Sequence, residues 1–335
     1  MQNRTSSFDD SGAQSAEPAI SVLLPTRGRP EAVGRLLRSL ENQSLEPDRF
    51  EIVVGVDGSG GPAIDGPWRT ERFQHRGPAA TRNSLVNLAR GRFVLFLNDD
   101  VTADHELVET HLNAQESASK PSMILGHAPF AVPADDRLFD RLIRETSMVF
   151  FYDRMHGCEP DRDWGYRHAW TLNLSVPTPL ASEHGFSEAL ERAMFEDLEW
   201  AWRVQRASGA PVLYRPNAVV THHHRYEPRD YLARERELGR QAVRLAEVNA
   251  ECARELFGRD PRDAGFVDEC RARIERDAPQ VEPLIDSFRA LADMPASAAG
   301  DARLLRVLYE HHLPLKRHLW RHGLVEASWS RDAAA

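Results

Sequence analysis

The chain has 335 residues, of which 41% are hydrophobic and 28% are charged, and its formal net charge is −9. This length and composition predict a globular protein with one large core or two domains. The negative charge argues against nonspecific nucleic-acid binding as the main role, because such binding needs a basic surface.

The terminal and cysteine patterns give expectations about location. Residues 1–18 are polar and lack the apolar core of a signal peptide, so we expect a disordered leader. No run of about 18 apolar residues is present, which predicts that no helix spans a membrane. Three cysteines at positions 158, 252 and 270 have no metal-type spacing and leave an odd thiol, which favours the reducing cytoplasm. Peripheral membrane contact stays open as an alternative.

Short apolar runs alternate with helical patterns through the first two thirds of the chain. The predicted strands cover 19–24, 50–56, 70–73, 93–97, 122–125, 170–176, 212–214 and 218–220. Helices are predicted from Pro30, from Gly77 to about Arg90, and over about 104–116 and 195–204. This alternation predicts an α/β fold with a mostly parallel sheet flanked by helices. From Pro228 onward long charged patterns predict a helical C-terminal extension, so the expected organisation is 19–227 followed by 228–335.

The strand at 93–97 ends in an unusual polar sequence. Five apolar residues are followed by Asn98, Asp99 and Asp100. Two neighbouring acids at the carboxyl end of a buried strand repel each other unless a cation or hydrogen bonds compensate. Mn²⁺ or Mg²⁺ is the natural candidate, since either ion takes one or two protein oxygens and completes its shell with phosphates and water. An acidic helix N-cap after the strand is the alternative interpretation.

Three consecutive histidines end the last predicted strand. His222 and His224 alternate, and extended backbone projects alternate side chains to the same face. They are therefore candidates for a second protein ligand to the metal, with a surface histidine cluster as the alternative. The chain contains no G-x-G-x-x-G and no G-K-[ST] motif, so neither a dinucleotide fold nor a P-loop is indicated.

Taken together, these pieces resemble the family 2 glycosyltransferases with the GT-A fold over roughly residues 19 to 225. The matching motifs lie, in the order of the family, at 21–29, 54–59, 77–83, 97–100, 172–175, 195–199 and 222–224. Asn98 begins the D-x-D slot, a variation that the family tolerates. Arg27 and Gly28 stand where the family often has an aromatic–asparagine pair.

The resemblance implies a metal-dependent, inverting transfer of a sugar from a nucleotide-diphosphate sugar, with UDP as the expected nucleotide, to an acceptor hydroxyl. The acceptor class stays open between a glycan, a lipid-linked molecule and a small molecule. The implied catalytic residues are Asp197 as general base and Glu196 beside it as an acceptor contact. The implied donor-binding residues are Pro25, Thr26, Arg29, Asp57, Arg82 and Asp99. Trp170, Asn173 and Ser175 are expected to face the acceptor, and Asp100, His222 and His224 to hold the divalent cation.

Two rival functions share some of these features. A sugar-nucleotide pyrophosphorylase would also use a nucleotide-binding α/β sheet and Mg²⁺, but would want a Gly-rich basic loop after the first strand, where only Gly28 is present. A non-catalytic sugar-nucleotide binder or assembly subunit is the second rival, and the carboxylates at 99, 100 and 197 count against it.

The extension contains one segment with two possible roles. Residues 313–324 combine basic side chains with leucines and a tryptophan. A short basic helix with tryptophan can lie on an anionic membrane surface. We expect instead that this segment packs on the catalytic domain, because a helix that docks on an acidic domain has the same composition.

Overall fold

We describe a computed structural model of the chain, which covers residues 17–58, 64, 66–146, 148–155, 157–298 and 302–332. Most of the expected leader, residues 1–16, therefore lies outside the described residues, and so do Ser59, Gly60 and Gly61 after the second strand.

Within these residues the strands form a single eight-stranded mixed sheet. They are β1 (Ile20–Thr26), β2 (Phe50–Asp57), β3 (Arg69–Phe73), β4 (Phe93–Leu97), β5 (Val101–Ala103), β6 (Met123–His127), β7 (Asn173–Pro177) and β8 (Val212–His222). Their order across the sheet is β3-β2-β1-β4-β7-β6-β8-β5. The pairs β2/β3, β1/β2, β1/β4 and β6/β8 are parallel, whereas β4/β7, β6/β7 and β5/β8 are antiparallel. The expected α/β fold is confirmed, with a mixed sheet in which four of the seven strand pairs are parallel.

The helices of the α/β part lie between these strands in the chain. They are α1 (Pro30–Leu40), α2 (Pro78–Leu88), α3 (Leu107–Ser117), α4 (Leu138–Glu145), α5 (Thr178–Glu183) and α6 (Glu196–Ser208). Helix α1 shows why these helices pack on the sheet. Its apolar residues recur at helical spacing and are all buried: Val33, Leu36, Leu37 and Leu40. Trp200 on α6 is completely buried, as expected of a core residue.

Three predicted boundaries are wrong, and each error has a structural reason. The helix expected from Asp104 begins at Leu107, because residues 101–103 pair as β5 with the end of β8. The strands predicted at 212–214 and 218–220 are one strand, whose register against β6 shifts between Gly126 and His127. The strand predicted from Trp170 begins only at Asn173.

The chain continues after β8 as long helices that pack against the α/β part. They are α7 (Pro228–Val248), α8 (Ala250–Phe257), α9 (Ala264–Ala292) and α10 (Ala302–Asp332). Leu245 and Ala246 of α7 and Cys252 of α8 are buried in the same core cluster as the sheet. A second core cluster joins α4 to α7, α9 and α10. The expected boundary at residues 227 and 228 coincides with the start of α7, but apolar contacts cross it.

The leucines of the basic segment 313–324 pack inside the helical extension. Leu315 and Leu324 are completely buried, each within a core cluster that includes residues of α7 and α9. No helix among the described residues is long and apolar enough to cross a membrane.

Candidate functional site

The central cleft lies beyond the carboxyl ends of β1, β2 and β4. It has a volume of about 1190 Å³. All six expected donor-binding residues line it: Pro25, Thr26, Arg29, Asp57, Arg82 and Asp99. Parallel strands bring these side chains together because β1 pairs with both β2 and β4, so that their carboxyl ends share one edge.

Asp99 and Asp100 are bridged by an arginine from the loop after β1. Arg29 pairs with Asp99 through its Nη2 and its Nε, the latter 3.2 Å from Oδ2, and its Nη1 lies 3.3 Å from Asp100 Oδ2. Thr26 Oγ1 also donates to Asp99 Oδ2 over 2.5 Å. Asp99 is thus hydrogen-bonded by the protein itself, and a guanidinium supplies the positive charge that two adjacent carboxylates require.

The short strand β5 brings Asp100 to the histidines. Val101 pairs with His222, and the amide of His223 donates to the carbonyl of Asp100 over 2.8 Å. As a result, His222 Nε2 lies 3.5 Å from Asp100 Oδ1, and His224 Nδ1 lies 3.7 Å from Asp100 Oδ2. Burial alone would raise the pKa of Asp100, but the two imidazoles and Arg29 together hold it well below its ordinary value. Asp100 is therefore ionised at neutral pH.

The group around Asp100 has the donor types that suit a divalent cation. Asp100 Oδ1 and His222 Nδ1 are buried without a hydrogen-bond partner. Carboxylate oxygen together with imidazole nitrogen is a ligand set that Mn²⁺ accepts. Among the described residues, however, no three histidine, cysteine or acidic side chains form a ready-made metal cage. The residues fit a cation that takes part of its shell from a bound ligand.

Asp57 is held by the loop between β3 and α2. Its carboxylate accepts hydrogen bonds from the backbone amides of Arg76 and Gly77, at 2.9 and 3.2 Å, and lies 2.8 Å from His75 Nδ1. Gly77 has a φ of +89°, and a Cβ there would stand 2.4 Å from the carbonyl oxygen of Glu191. Asp57 and Gly77 therefore fix the loop that closes one side of the cleft.

The expected catalytic acids begin α6 and connect to the cleft through Arg82, which lines it and binds Glu196. Phe195, directly before them, is the one non-glycine residue with positive φ (67°) among the described residues. Such backbone strain is frequently found at functional sites. Glu196 is buried and accepts from Arg82 Nη1 at 2.9 Å, while Asp197 is half-buried and accepts from the amides of Leu198 and Thr171.

The two acids have raised pKa values. Burial and the charge of Asp197 raise the pKa of Glu196 to about 7, although Arg82 acts in the opposite direction. Burial also raises the pKa of Asp197, against the charge of Arg82 and several backbone amides. A carboxylate with a raised pKa is a stronger base than an ordinary one, and it stays partly charged near neutral pH.

Two of the three expected acceptor contacts lie in the interior instead. Asn173 and Ser175 are completely buried on β7 and bind His111 of α3, at 2.8 Å from His111 Nε2 and 3.0 Å from Nδ1. Asn173 Nδ2 also donates to the carbonyl of Ala218 over 2.9 Å. These bonds leave both side chains no access to an acceptor, so their expected role is corrected to a structural one. Burial lowers the pKa of His111 to about 4, which keeps this network neutral.

Trp170 keeps a position compatible with its expected role. It is half-buried within an aromatic group, 5.0 Å from the ring of Phe150 and 5.1 Å from that of Tyr152. Its neighbour Thr171 donates a backbone hydrogen bond to Asp197. Trp170 therefore stands beside the candidate base.

Several lining residues carried no recognisable signal in the sequence. Loop 188–194 contributes Glu188, Glu191, Arg192 and Met194 to the cleft wall, and Arg76 reaches across to pair with Glu188. Nothing in the sequence distinguishes these charged loop residues from solvated surface. Arg76 adjoins the Gly77–Pro78 helix start, which is the one local hint.

The sheet order, the acids at its carboxyl edge and the cleft define an α/β protein with a polar cleft at the carboxyl ends of its parallel strands. Residues 21–156 match the family model described as "Glycosyl transferase family 2". This segment of the chain is therefore similar to that family, and the α/β part has the GT-A fold.

Similar proteins include two kinds of named transferase. The chain is 28% identical over 250 residues to the Pre-mycofactocin glycosyltransferase of Mycobacterium tuberculosis, covering 68% of this chain and 47% of that protein. It is 27% identical over 230 residues to the Validoxylamine A glucosyltransferase of Streptomyces hygroscopicus subsp. limoneus, covering 60% and 51%. The chain thus spans about half the length of the curated relatives it matches.

One solved structure supports the fold assignment. The mannosyltransferase PcManGT from Pyrobaculum calidifontis, determined in complex with GDP-Man and Mn²⁺, superposes with a TM-score of 0.55 at 15% identity. The match covers 94% of this chain and 88% of that one.

Proposed function

We propose that this chain is a metal-dependent, inverting glycosyltransferase that moves a sugar from a nucleotide-diphosphate sugar, expected to be a UDP-sugar, to an acceptor hydroxyl. The observation that carries the proposal is that Arg29 and Arg82 line the same cleft: Arg29 binds the acid pair Asp99–Asp100, and Arg82 binds Glu196, next to Asp197. The named transferases among its relatives support the same activity.

Asp100, His222 and His224 would hold the divalent cation. When bound, the cation neutralises the charge that grows on the departing diphosphate. Arg29 lies against both Asp99 and Asp100, so it is placed to turn from these carboxylates to the phosphates when the donor binds.

Asp197 would remove the proton from the acceptor hydroxyl. The acceptor oxygen then forms a bond to the anomeric carbon, the bond from that carbon to the diphosphate breaks, and its electron pair leaves with the nucleoside diphosphate. Direct attack from the face opposite the leaving group inverts the anomeric centre. Glu196 is ion-paired with Arg82, and its own pKa is raised partly by the charge of Asp197, so protonation of one carboxylate affects that of the other.

We expect UDP to bind at least about tenfold more tightly with Mn²⁺ than with EDTA, an effect of about 1.4 kcal/mol. The reason is that a cation can link Asp100 to the diphosphate, whereas these two anions repel each other without it. Calorimetric titration of the full chain measures the difference. Asp100→Asn should abolish the Mn²⁺ effect, and Asp48→Asn on the exposed surface is the matched control. Equal UDP affinities in Mn²⁺ and EDTA would contradict metal dependence.

We expect turnover to fall as the pH decreases, at a pH above the range in which an ordinary carboxylate titrates. Asp197 must be ionised to accept a proton, and burial raises its pKa, so the acid limb should lie well above the range of an ordinary carboxylate. Glu196→Gln should move this limb to lower pH, because it removes the neighbouring negative charge. The kcat–pH profile measures both effects. An acid limb near pH 4 in the unmodified protein would contradict the assignment.

A further inference from the structure

A second cavity lies in the helical extension, and its lining residues are distinct from those of the cleft. Its volume is about 540 Å³, and its walls come from the end of α8, the connection to α9, the first half of α9 and the middle of α10. We call it the basic–aromatic pocket after two sets of lining residues. The basic set is Arg259, Arg273, Lys316, Arg317 and Arg321, and the aromatic set is Phe257, Phe266, Tyr309 and Trp320.

The charges of the pocket walls are strongly unbalanced. Among the described residues that line it, Glu269 is the one acid, and it is shared by Arg259 at 2.9 Å and Arg273 at 2.5 Å. Arg317 is exposed, and within the described residues it has no carboxylate partner. Lys316 and Arg321 also have carboxylate partners, Glu235 at 3.8 Å and Asp277 at 3.3 Å, but neither acid lines the pocket. The lining itself therefore holds five cations and one carboxylate, which is the electrostatic setting of an anion site in a chain whose net charge is −9.

The positive field is visible in neighbouring groups. Burial lowers the pKa of His312 to about 4, and the charges of Lys316 and Arg317 contribute to the same direction. Burial and the charge of Arg273 also lower the pKa of Arg321. A bound anion would relieve this repulsion between cations held on three different chain segments.

The pocket lining also contains an apolar surface. Trp320 contacts Phe257 and Phe266, with ring centroids 5.7 and 6.4 Å apart and planes tilted by 48° and 45°. These rings and Leu313 are only half-buried, so the pocket exposes apolar area that water solvates poorly. Because the three rings tilt against one another, they offer a rough apolar wall and no parallel slot for a flat base.

We propose that the basic–aromatic pocket binds a phosphate or diphosphate ester of an apolar chain. The guanidinium groups would bind the phosphate oxygens, since their forked donors match that geometry, and the chain would lie against Trp320 and its neighbours. A soluble ester and the phosphate headgroup of a membrane lipid share this chemistry. The proposal does not rest on the proposed transferase activity, because none of its residues belongs to the cleft.

The first arm of the test uses soluble probes. Geranyl diphosphate, inorganic pyrophosphate and ADP are titrated by calorimetry into the full chain with EDTA present, which suppresses metal-dependent binding at the cleft. We expect geranyl diphosphate to bind at least about tenfold more tightly than pyrophosphate, because its chain buries apolar area. Equal affinities for geranyl diphosphate and either other probe would overturn the apolar-chain assignment.

The second arm uses variants and vesicles. Arg317→Glu should weaken geranyl diphosphate binding by at least about tenfold, whereas Arg229→Glu, the same charge change on an exposed part of α7, should leave it unchanged. Sedimentation with phosphatidylcholine vesicles, with and without phosphatidic acid, distinguishes the sources. Binding to phosphatidic acid vesicles that Arg317→Glu abolishes assigns a lipid headgroup, and binding of the soluble ester alone assigns a free ligand.

Two outcomes would overturn the proposal itself. One is that neither the ester nor the phosphatidic acid vesicles bind. The other is that binding persists unchanged in both Arg317→Glu and Arg273→Gln. Arg317 is exposed and has no ion-pair partner within the described residues, so its substitution should leave the unfolding temperature unchanged.

Discussion

Replacement of Asp197 by asparagine should lower turnover by about 10²–10⁴, which is the usual contribution of a general base. Asparagine keeps the size of the side chain and can still accept the hydrogen bonds from Leu198 and Thr171, so the start of α6 should keep its geometry. It cannot accept the acceptor proton. Donor affinity should stay nearly unchanged, because Asp197 is not among the residues that line the central cleft, the proposed donor site. Steady-state kinetics and calorimetry on the same variant separate the two quantities.

The neighbouring acid provides the sharpest control for this substitution. Glu196 pairs with Arg82, so Glu196→Gln should shift the pH profile and destabilise the fold by leaving a buried cation without its partner. At high pH it should retain most of the turnover that Asp197→Asn loses. If Glu196→Gln alone showed the large loss, the base would be Glu196, and near-normal turnover in Asp197→Asn would exclude Asp197.

The carboxyl edge of the sheet was predictable because strand signals and strand ends are local. Apolar runs at β1, β2 and β4 end in Thr26, Asp57 and Asn98–Asp100, and parallel pairing is enough to bring such ends together. What the sequence does not contain is the identity of each carboxylate's partner. Arg29 is 70 residues from Asp99, and no local pattern reveals that its side chain bridges both acids.

Asn173 and Ser175 show a different limit of sequence reasoning. Polar residues that alternate along a strand normally face solvent or a ligand. Here both sides of β7 are covered, and His111 of α3 satisfies both side chains inside the core. A Cβ on Gly126 would stand 2.2 Å from Asn173 Nδ2, so the asparagine fills the space where β6 and β8 lose register. Only tertiary packing distinguishes such a buried network from a sugar-binding set.

The short strand β5 was missed for a related reason. Val101, Thr102 and Ala103 are too few to give a strand signal, and Asp104 suggests a helix start. Their pairing with His222, Thr221 and Val220 is nonlocal, yet it is what carries Asp100 to the histidines. The residue types of the candidate metal site were thus predictable, whereas the element that assembles them was not.

The largest expected effect on stability lies where α7 and α10 cross. A Cβ on Gly323 would stand 1.7 Å from the carbonyl oxygen of Arg236, and one on Gly239 would stand 1.9 Å from that of Trp320. Both obstacles are backbone atoms of the facing helix, so a rotamer change cannot relieve them. Gly323→Ala must push the two helices apart and disturb the buried contacts of Leu324 and Val243. Overpacking costs about 1–3 kcal/mol and occasionally more, and alanine's better helix propensity returns only about 1 kcal/mol.

We therefore expect Gly323→Ala to lower the free energy of unfolding by at least about 2 kcal/mol, measured by urea denaturation. Gly34→Ala is the matched control, because a Cβ at this position of α1 meets only the end of the Arg38 side chain, at 3.3 Å. Arg38 can move, so the control should be neutral or stabilising by about 0.5–1 kcal/mol. If both substitutions stabilised the protein equally, the close approach of the α7 and α10 backbones described above would be contradicted. Because α7 also contributes Leu245 and Ala246 to the core of the sheet, the extension and the α/β part should unfold together. A single unfolding transition whose midpoint moves to a lower urea concentration in Gly323→Ala would show this.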